Sequence, residues 1–320
     1  MLSFGLLALG AALVYASTGS LLLGAPVDTR LGDLAAVHGL GLALLVAGAA
    51  FKLSLVPFHL WTPDTYAGAP LPVAAFLSTV SKAAGLTAIV LVLGVGAPER
   101  SALWAAPVGG LAVLTMTVGN LVALRQRTAV RLLAWSTVGQ AGWVLLPLGG
   151  AVGAGRLAGA VAASVAYLLA YVVASLTAFG VVTRVAAGHP LGAAHGLDAY
   201  DGLWRRRPVT TLVLGFALLC LAGLPPGVMG VLAKVVALVP VLGVRAWGLV
   251  AVAVVNVVLG VAVYLRWAAH LVARPDDPRP EVHPGARPQR LALAMAAAGC
   301  LTLSVLPEGL LALLGSAGLG

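Results

Sequence analysis

Nine long apolar runs decide what this chain can become. They cover roughly residues 2–24, 35–58, 71–97, 102–124, 130–149, 152–183, 209–240, 246–270 and 289–314. A helix of about 20 apolar residues crosses a bilayer core. Within lipid every backbone amide must find its partner inside the protein, which a helix achieves alone. The chain therefore reads as an all-α polytopic membrane protein with about nine transmembrane helices. Composition agrees. Of 320 residues, 61% are hydrophobic and only 9% charged, against about 25% charged in a soluble domain. That excludes a soluble globular protein, a disordered chain and a collagen or disulfide scaffold. The sixth and seventh runs are long enough to be tilted or broken. The longest polar stretches, 184–208 and 271–288, are too short for a separate domain.

The basic residues sort by type. All sixteen Arg lie in loops or near the ends of runs, and the three Lys (Lys52, Lys82, Lys234) lie inside apolar runs. With loops alternating between sides, Arg30, Arg100, Arg156 and Arg245 fall on one side. The other side holds Arg125, Arg127, Arg131, Arg184, Arg205, Arg206, Arg207, Arg266, Arg274, Arg279, Arg287 and Arg290. The positive-inside rule puts this second side in the cytoplasm and the C-terminus outside. It also explains the formal net charge of +9 without a nucleic-acid partner. The His59–Pro70 stretch reads as a cytoplasmic loop. No Lys or Arg precedes the first run, so it lacks the form of a signal peptide.

The Lys positions carry the chemistry. Arg stays charged and cannot pass a proton on, whereas a desolvated Lys can lose one. An ionisable group at membrane depth marks an ion pathway, so Lys52, Lys82 and Lys234 are the proton-relay candidates. The competing account is snorkelling to the headgroups. It fits Lys82 poorly, about eleven residues or 16 Å into its run.

Two Lys-bearing runs also contain Pro: Pro57 in the second, Pro225 and Pro226 in the seventh. Pro removes a backbone donor and frees a carbonyl, so these are helix breaks. Paired interrupted spans point to an inverted repeat with the ion site at the breaks. The two runs are five spans apart. An odd period inverts the second copy, which gives residues 1–97 as the last three helices of a first repeat, 102–270 as the second repeat and 289–314 as an extra helix. The first copy is then expected to be incomplete at its N-terminus.

Sequence blocks add a resemblance. The run Phe51 to Pro70 reads Phe-Lys-Leu-Ser-Leu-Val-Pro-Phe-His-Leu-Trp-Thr-Pro-Asp-Thr-Tyr-Ala-Gly-Ala-Pro. Phe76–Gly85, Gly119–Leu124, Arg131–Leu133, Ala178–Val182, Leu221–Pro226 and Tyr264–Arg266 follow in order. Together they resemble the subunit N family of proton-pumping NADH:quinone oxidoreductase, respiratory complex I. Tyr66 and Gly68 favour that family over its sister subunits M and L, as does the lack of a long lateral helix at the C-terminus.

The resemblance implies an antiporter-like fold of two inverted five-helix repeats in a bacterial cytoplasmic membrane. It implies proton relay through Lys52, Lys82 and Lys234. Partners would be the other membrane-arm subunits and the lipid bilayer. NADH, flavin, iron–sulfur clusters and quinone would be bound by partner subunits, with no cofactor or metal in this chain. By this resemblance the sequence is expected to start at the family's sixth helix, with the family's Glu that pairs with the Lys at position 52 falling before it. The family often has a His where this chain has Gln140, which holds water but cannot titrate.

Other candidates for the proton path are His59, Arg131, Tyr167 and Tyr171. Each has a structural alternative: a cap at the break for His59, a topology anchor for Arg131, interhelical hydrogen bonds for the tyrosines. Asp64 reads as shaping the re-entry into the third run. Ser54, Ser78, Ser81, Asn120, Thr137, Ser175, Asn256 and Tyr264 divide the same way. Trp61, Trp104, Trp204 and Trp247 read as an interfacial belt. Cys220 and Cys300 read as buried free thiols, and Gly153 with Gly155 is no dinucleotide fingerprint because no strand precedes it. Two rival functions remain: a Mrp-type cation/proton antiporter subunit, and a shortened non-pumping scaffold or fragment.

Overall fold

A computed structural model describes residues 2–27, 34–153, 155–274, 282 and 285–308. Arg30, Arg279 and residues 309–314 of the ninth run lie outside these. The described residues form twelve α-helices: α1 (Leu2–Thr18), α2 (Leu34–Leu53), α3 (Trp61–Gly68), α4 (Leu71–Gly96), α5 (Ser101–Ala123), α6 (Ala129–Leu145), α7 (Arg156–Ala187), α8 (Leu203–Arg206), α9 (Pro208–Ala222), α10 (Val228–Gly243), α11 (Trp247–Val272) and α12 (Arg287–Val305). Among the described residues there is no strand, only an isolated bridge between Thr128 and Gly196. Five helical stretches are long and apolar enough to cross a membrane: Leu34–Leu53, Leu71–Gly96, Pro98–Ala123, Arg156–Ala187 and Trp247–Val272. α1, α9 and α10 are shorter apolar helices.

Helix α6 is the hub. From Leu132 to Leu145 every residue except Trp135 is buried. It packs against α3, α4, α5 and α7. Its sequence explains this position. Ala134, Gly139, Ala141 and Gly142 are small, so neighbouring backbones approach closely, as membrane helices without a hydrophobic driving force require. Polar groups bind the hub's surroundings. Asn120 Nδ2 on α5 donates to Asn256 Oδ1 on α11 at 3.0 Å, and Asn256 Nδ2 donates back to Thr117 Oγ1 at 2.8 Å. These two Asn are interhelical ties.

The stretch expected as a loop between the second and third runs is instead largely helical. The Thr62 amide donates to His59 O at 3.0 Å, and Ala69 N closes α3 onto Thr65 O at 2.9 Å. Pro63 falls in the first turn, where its missing amide costs nothing. Arg131 Nη2 meets Asp64 Oδ1 at 2.7 Å, with both side chains largely exposed. This pair ties α3 to the start of α6 and contributes less than about 1 kcal/mol at such exposure. Asp64 thus serves the re-entry, and Arg131 sits at the surface.

The segment between α7 and α8 folds down around His195. Its imidazole is buried, with Nδ1 2.7 Å from Gly192 O and Nε2 2.9 Å from the Tyr200 hydroxyl. Tyr200 packs its ring against Trp267 of α11, centroids 5.3 Å apart. Burial holds the imidazole below its ordinary value of 6.5, more strongly than the Gly192 carbonyl raises it. A depressed value in the folded state means the unfolded segment binds the proton more readily. The docking stability is therefore present above about pH 6.5 and is lost as pH falls through the folded value. Protease cleavage between residues 188 and 202 is expected to accelerate on acidification below that pH. His195→Gln is expected to flatten the dependence, and an equally steep profile in that variant would assign it elsewhere.

Candidate proton-transfer site

The two breaks free particular carbonyls. In a helix, the amide of residue i+4 satisfies the carbonyl of residue i. Pro225 and Pro226 have no amide, so Leu221 O and Ala222 O lose their helical partners. Both are claimed by side chains. Gln140 Nε2 donates to Leu221 O at 3.3 Å, and Lys234 Nζ donates to Ala222 O. Helix α9 stops at Ala222 because Gly223 adopts φ 73°, a left-handed conformation that turns the following Leu224 amide back to Leu219 O at 3.0 Å. A side chain at Gly223 would also meet the Lys234 stem at about 3 Å. The glycine therefore both ends the helix and makes room for the lysine.

The first break follows the same logic. α2 ends at Leu53, and Ser54 turns the chain with φ 63°. The Val56 amide, which would have satisfied Lys52 O, is diverted to Thr115 Oγ1 at 3.1 Å. Lys82 Nζ takes its place, 3.4 Å from Lys52 O, and also donates to Ser54 Oγ. Ser54 Oγ in turn lies 2.6 Å from Thr62 Oγ1. Pro57, Pro225 and Pro226 are exposed, and the Val56–Pro57 and Pro225–Pro226 bonds are cis.

Lys82 and Lys234 are 1% and 6% exposed. Lys52 differs from them. It sits in the last turn of α2 with an exposed side chain, and only its carbonyl enters the site. All three lysines are read as lying inside apolar runs, and two of the three side chains are buried. The reason is helical phase: Lys52 precedes the break on the outward face of α2, and Leu53 turns inward.

Between the two lysines runs a band of hydroxyls and one amide. Ser78, one turn from Lys82 on α4, has its Oγ 3.2 Å from Ser175 Oγ on α7. Ser175, Tyr171 and Tyr167 follow at four-residue intervals along one face of α7. The Tyr171 hydroxyl donates to Thr137 Oγ1 at 3.0 Å. The Tyr167 hydroxyl donates to Gln140 Oε1. Gln140 Nε2 lies 2.8 Å from the Tyr264 hydroxyl, which is 2.5 Å from Ser136 Oγ. A cavity of about 10 Å³ lies among Gln140, Tyr167, Tyr171 and Cys220, near the minimum room for one water. Gln140 and Lys234 thus grip adjacent carbonyls, and the same Gln140 reaches back through Tyr167 toward Lys82.

Other expected residues take different places. His59 is buried and set edge-on against Trp135, ring centroids 5.3 Å apart, while its carbonyl starts α3. Trp61, read as an interfacial residue, instead points its indole N–H at Phe51 O, 2.9 Å away, and lies under Lys82 with Nζ 5.2 Å from its ring centroid. Trp143 of α6 lies 5.6 Å from Lys234 Nζ. Nothing in the sequence reading singled out Trp143, since an aromatic inside an apolar run carries no periodic signal of its own. Cys220 and Cys300 are buried free thiols.

The chain as a whole resembles known proteins. The family model described as NADH:quinone oxidoreductase/Mrp antiporter, transmembrane, matches residues 1–260. NADH-quinone oxidoreductase subunit N of Salinispora tropica is 47% identical over 278 residues, covering 82% of this chain and 52% of that protein. A chain in the structure of respiratory complex I from Thermus thermophilus with bound aureothin is 36% identical. It superimposes with a TM-score of 0.76 over 96% of this chain and 65% of that one. A chain of the Mrp complex from a Dietzia species gives a TM-score of 0.85 at 20% identity, covering 99% of this chain and 65% of that one, and shares the fold alone. The chain spans about half the length of the curated relatives it matches. Over that length the match is to the membrane-embedded part of the family, and the chain belongs to the NADH:quinone oxidoreductase/Mrp antiporter transmembrane family.

Proposed function

We propose that this chain is a proton-translocating, non-redox part of the membrane arm of an NADH:quinone oxidoreductase. One observation carries the reading. Two buried lysine amino groups sit at carbonyls opened by helix breaks, and hydroxyls with one amide lie in the space between them. Among the described residues neither lysine has a carboxylate partner. A lysine so placed holds its proton by dipoles alone and can release it when a neighbouring charge moves. Lys82 would pass a proton toward Ser78, Ser175 and Tyr171. Tyr167 and Gln140 would complete the route to Lys234, with a water in the cavity closing the gap between them. Hydroxyls and a held water relay protons by accepting one and releasing another, and Gln140 serves without titrating by orienting them through its donors and its acceptor.

Around this route we assign nine transmembrane helices. Residues 1–97 would be the end of a first repeat, 102–270 an inverted second repeat and 289–314 an extra helix. The Arg-rich loops would face the cytoplasm and the C-terminus the outside. Lys52, exposed on α2, would be completed by a carboxylate from a neighbouring membrane segment. Electron transfer from NADH to quinone, with its flavin and iron–sulfur clusters, would occur in partner subunits.

The test is Gln140→Leu in native membranes. NADH-driven proton uptake is expected to fall about tenfold, a barrier increase of about 1.4 kcal/mol, while the chain still co-purifies with quinone-reductase subunits. Unchanged uptake would remove Gln140 from the route. Co-purification with antiporter subunits, and sodium-driven rather than NADH-driven uptake, would favour the Mrp-type reading.

A further inference from the structure

The two buried lysines share a feature that the proton route does not use. Each ammonium has three donors. Lys82 has two acceptors, Lys52 O and Ser54 Oγ, and its remaining side faces the Trp61 indole with Nζ 5.2 Å from the centroid. Lys234 has one acceptor, Ala222 O, and faces the Trp143 indole at 5.6 Å. Both distances fall within the 6 Å or so over which a ring face attracts a cation, and the attraction is strongest for Trp and grows on desolvation.

Neither indole is free to drift. Trp61 is pinned by its N–H bond to Phe51 O and by stacking on the Phe51 ring, 5.7 Å away with 14° between planes. Phe51 is the residue before Lys52, so the ring is tied to the same break whose carbonyl Lys82 uses. Trp143 stacks on Tyr167, 5.8 Å away with 15° between planes, and Tyr167 is fixed by its bond to Gln140. Trp61 is thus held at the residue before the acceptor of Lys82, and Trp143, through Tyr167 and Gln140, at the carbonyl before that of Lys234.

We propose that Trp61 and Trp143 are positioning residues, each holding one ammonium group over its indole face and against the carbonyl opened at the neighbouring helix break. This rests on the reading of Lys82 and Lys234 as proton carriers. A flexible four-carbon stem in an apolar setting samples many rotamers. A fixed π face on one side and a fixed carbonyl on the other leave few. The protonated lysine is kept in register with its acceptor by the ring and the carbonyl, with no carboxylate beside it among the described residues.

With three lysines in the chain, the contact can be observed directly. The full chain is labelled with [13Cε]lysine and placed in nanodiscs, and the three signals are assigned by Lys→Arg variants. The Lys82 and Lys234 ε-protons are expected to be displaced upfield by ring currents, and the exposed Lys52 not. Trp61→Leu should abolish the Lys82 displacement and leave that of Lys234. Trp143→Leu should do the reverse. The Phe variants, which keep a ring in the same space, should retain a reduced displacement, and NADH-driven proton uptake should be lowered by Leu and largely restored by Phe. Displacements that persist in the Leu variants overturn the proposal, whatever uptake does. So does uptake that stays normal in Leu variants whose displacement is lost. If the Leu proteins do not fold, the Phe proteins decide: a displacement equal to that of the unaltered chain overturns the proposal. The NMR arm needs no turnover, so failure of the proton-carrier reading leaves it interpretable.

Discussion

Gly230→Ala is expected to prevent the second helix break from packing and to cost about 3 kcal/mol or more, at the upper end of overpacking effects. A Cβ at Gly230 would stand 1.7 Å from Cys220 O and 2.6 Å from Cys220 C. Both are backbone atoms, so no side-chain rotation relieves the clash and α9 and α10 must separate. The neighbouring Gly227 meets the same strand of backbone, with a Cβ position 2.6 Å from Cys220 N. Cys220 precedes Leu221 and Ala222, whose carbonyls receive Gln140 and Lys234. Pushing α10 away therefore also pulls Lys234 from its acceptor. Gly248→Ala is the control. Nothing lies within 4 Å of a Cβ there, and Ala is the better helix former by up to about 1 kcal/mol. Unfolding midpoints in nanodiscs should drop sharply for Gly230→Ala and hold or rise for Gly248→Ala. Equal midpoints would mean that the two halves of the broken helix do not meet at this edge.

Much of this architecture was legible because lipid leaves so few options. Apolar runs became helices near their expected bounds, and the prolines at 57, 225 and 226 mark where α2 and α9 stop. The prolines also name the opened carbonyls at the second break, since the residues four before Pro225 and Pro226 are Leu221 and Ala222. What claims those carbonyls was harder to read. Gln140 and Lys234 arrive from other helices, and tertiary packing alone decides that. Helix α3 was missed because Trp-Thr-Pro-Asp-Thr-Tyr-Ala-Gly has weak helix formers and no long apolar face. It is held by the His59 carbonyl and its packing on α6. Lys52, like Lys82, lies inside an apolar run, and its exposure was not legible because composition reports the depth of a run and not the face of a helix. The His195–Tyr200 pair gave no signal, being polar residues in a short segment between helices.

Loss of Lys82 is expected to be the largest functional effect. Its amino group holds Lys52 O and Ser54 Oγ at the first break, one helical turn from Ser78, and these two groups have no other cation at hand among the described residues. Lys82→Ala should lower NADH-driven proton uptake about 10²-fold or more, the range for removing a positioned proton carrier. Ala also leaves Lys52 O short of a partner, at a cost of about 1–3 kcal/mol, so the alanine result alone confounds structure with chemistry. Arg resolves this. It can satisfy the same carbonyl and keep a positive charge, but it does not give up its proton.

The most direct test is therefore Lys82→Arg beside Lys82→Ala, each assembled in native membranes, with proton uptake measured per quinone reduced. A switchable proton site predicts that both variants lose uptake, Arg as completely as Ala. Normal uptake in the Arg variant would show that a fixed charge suffices. Normal uptake in both would show that Lys82 carries no proton at all.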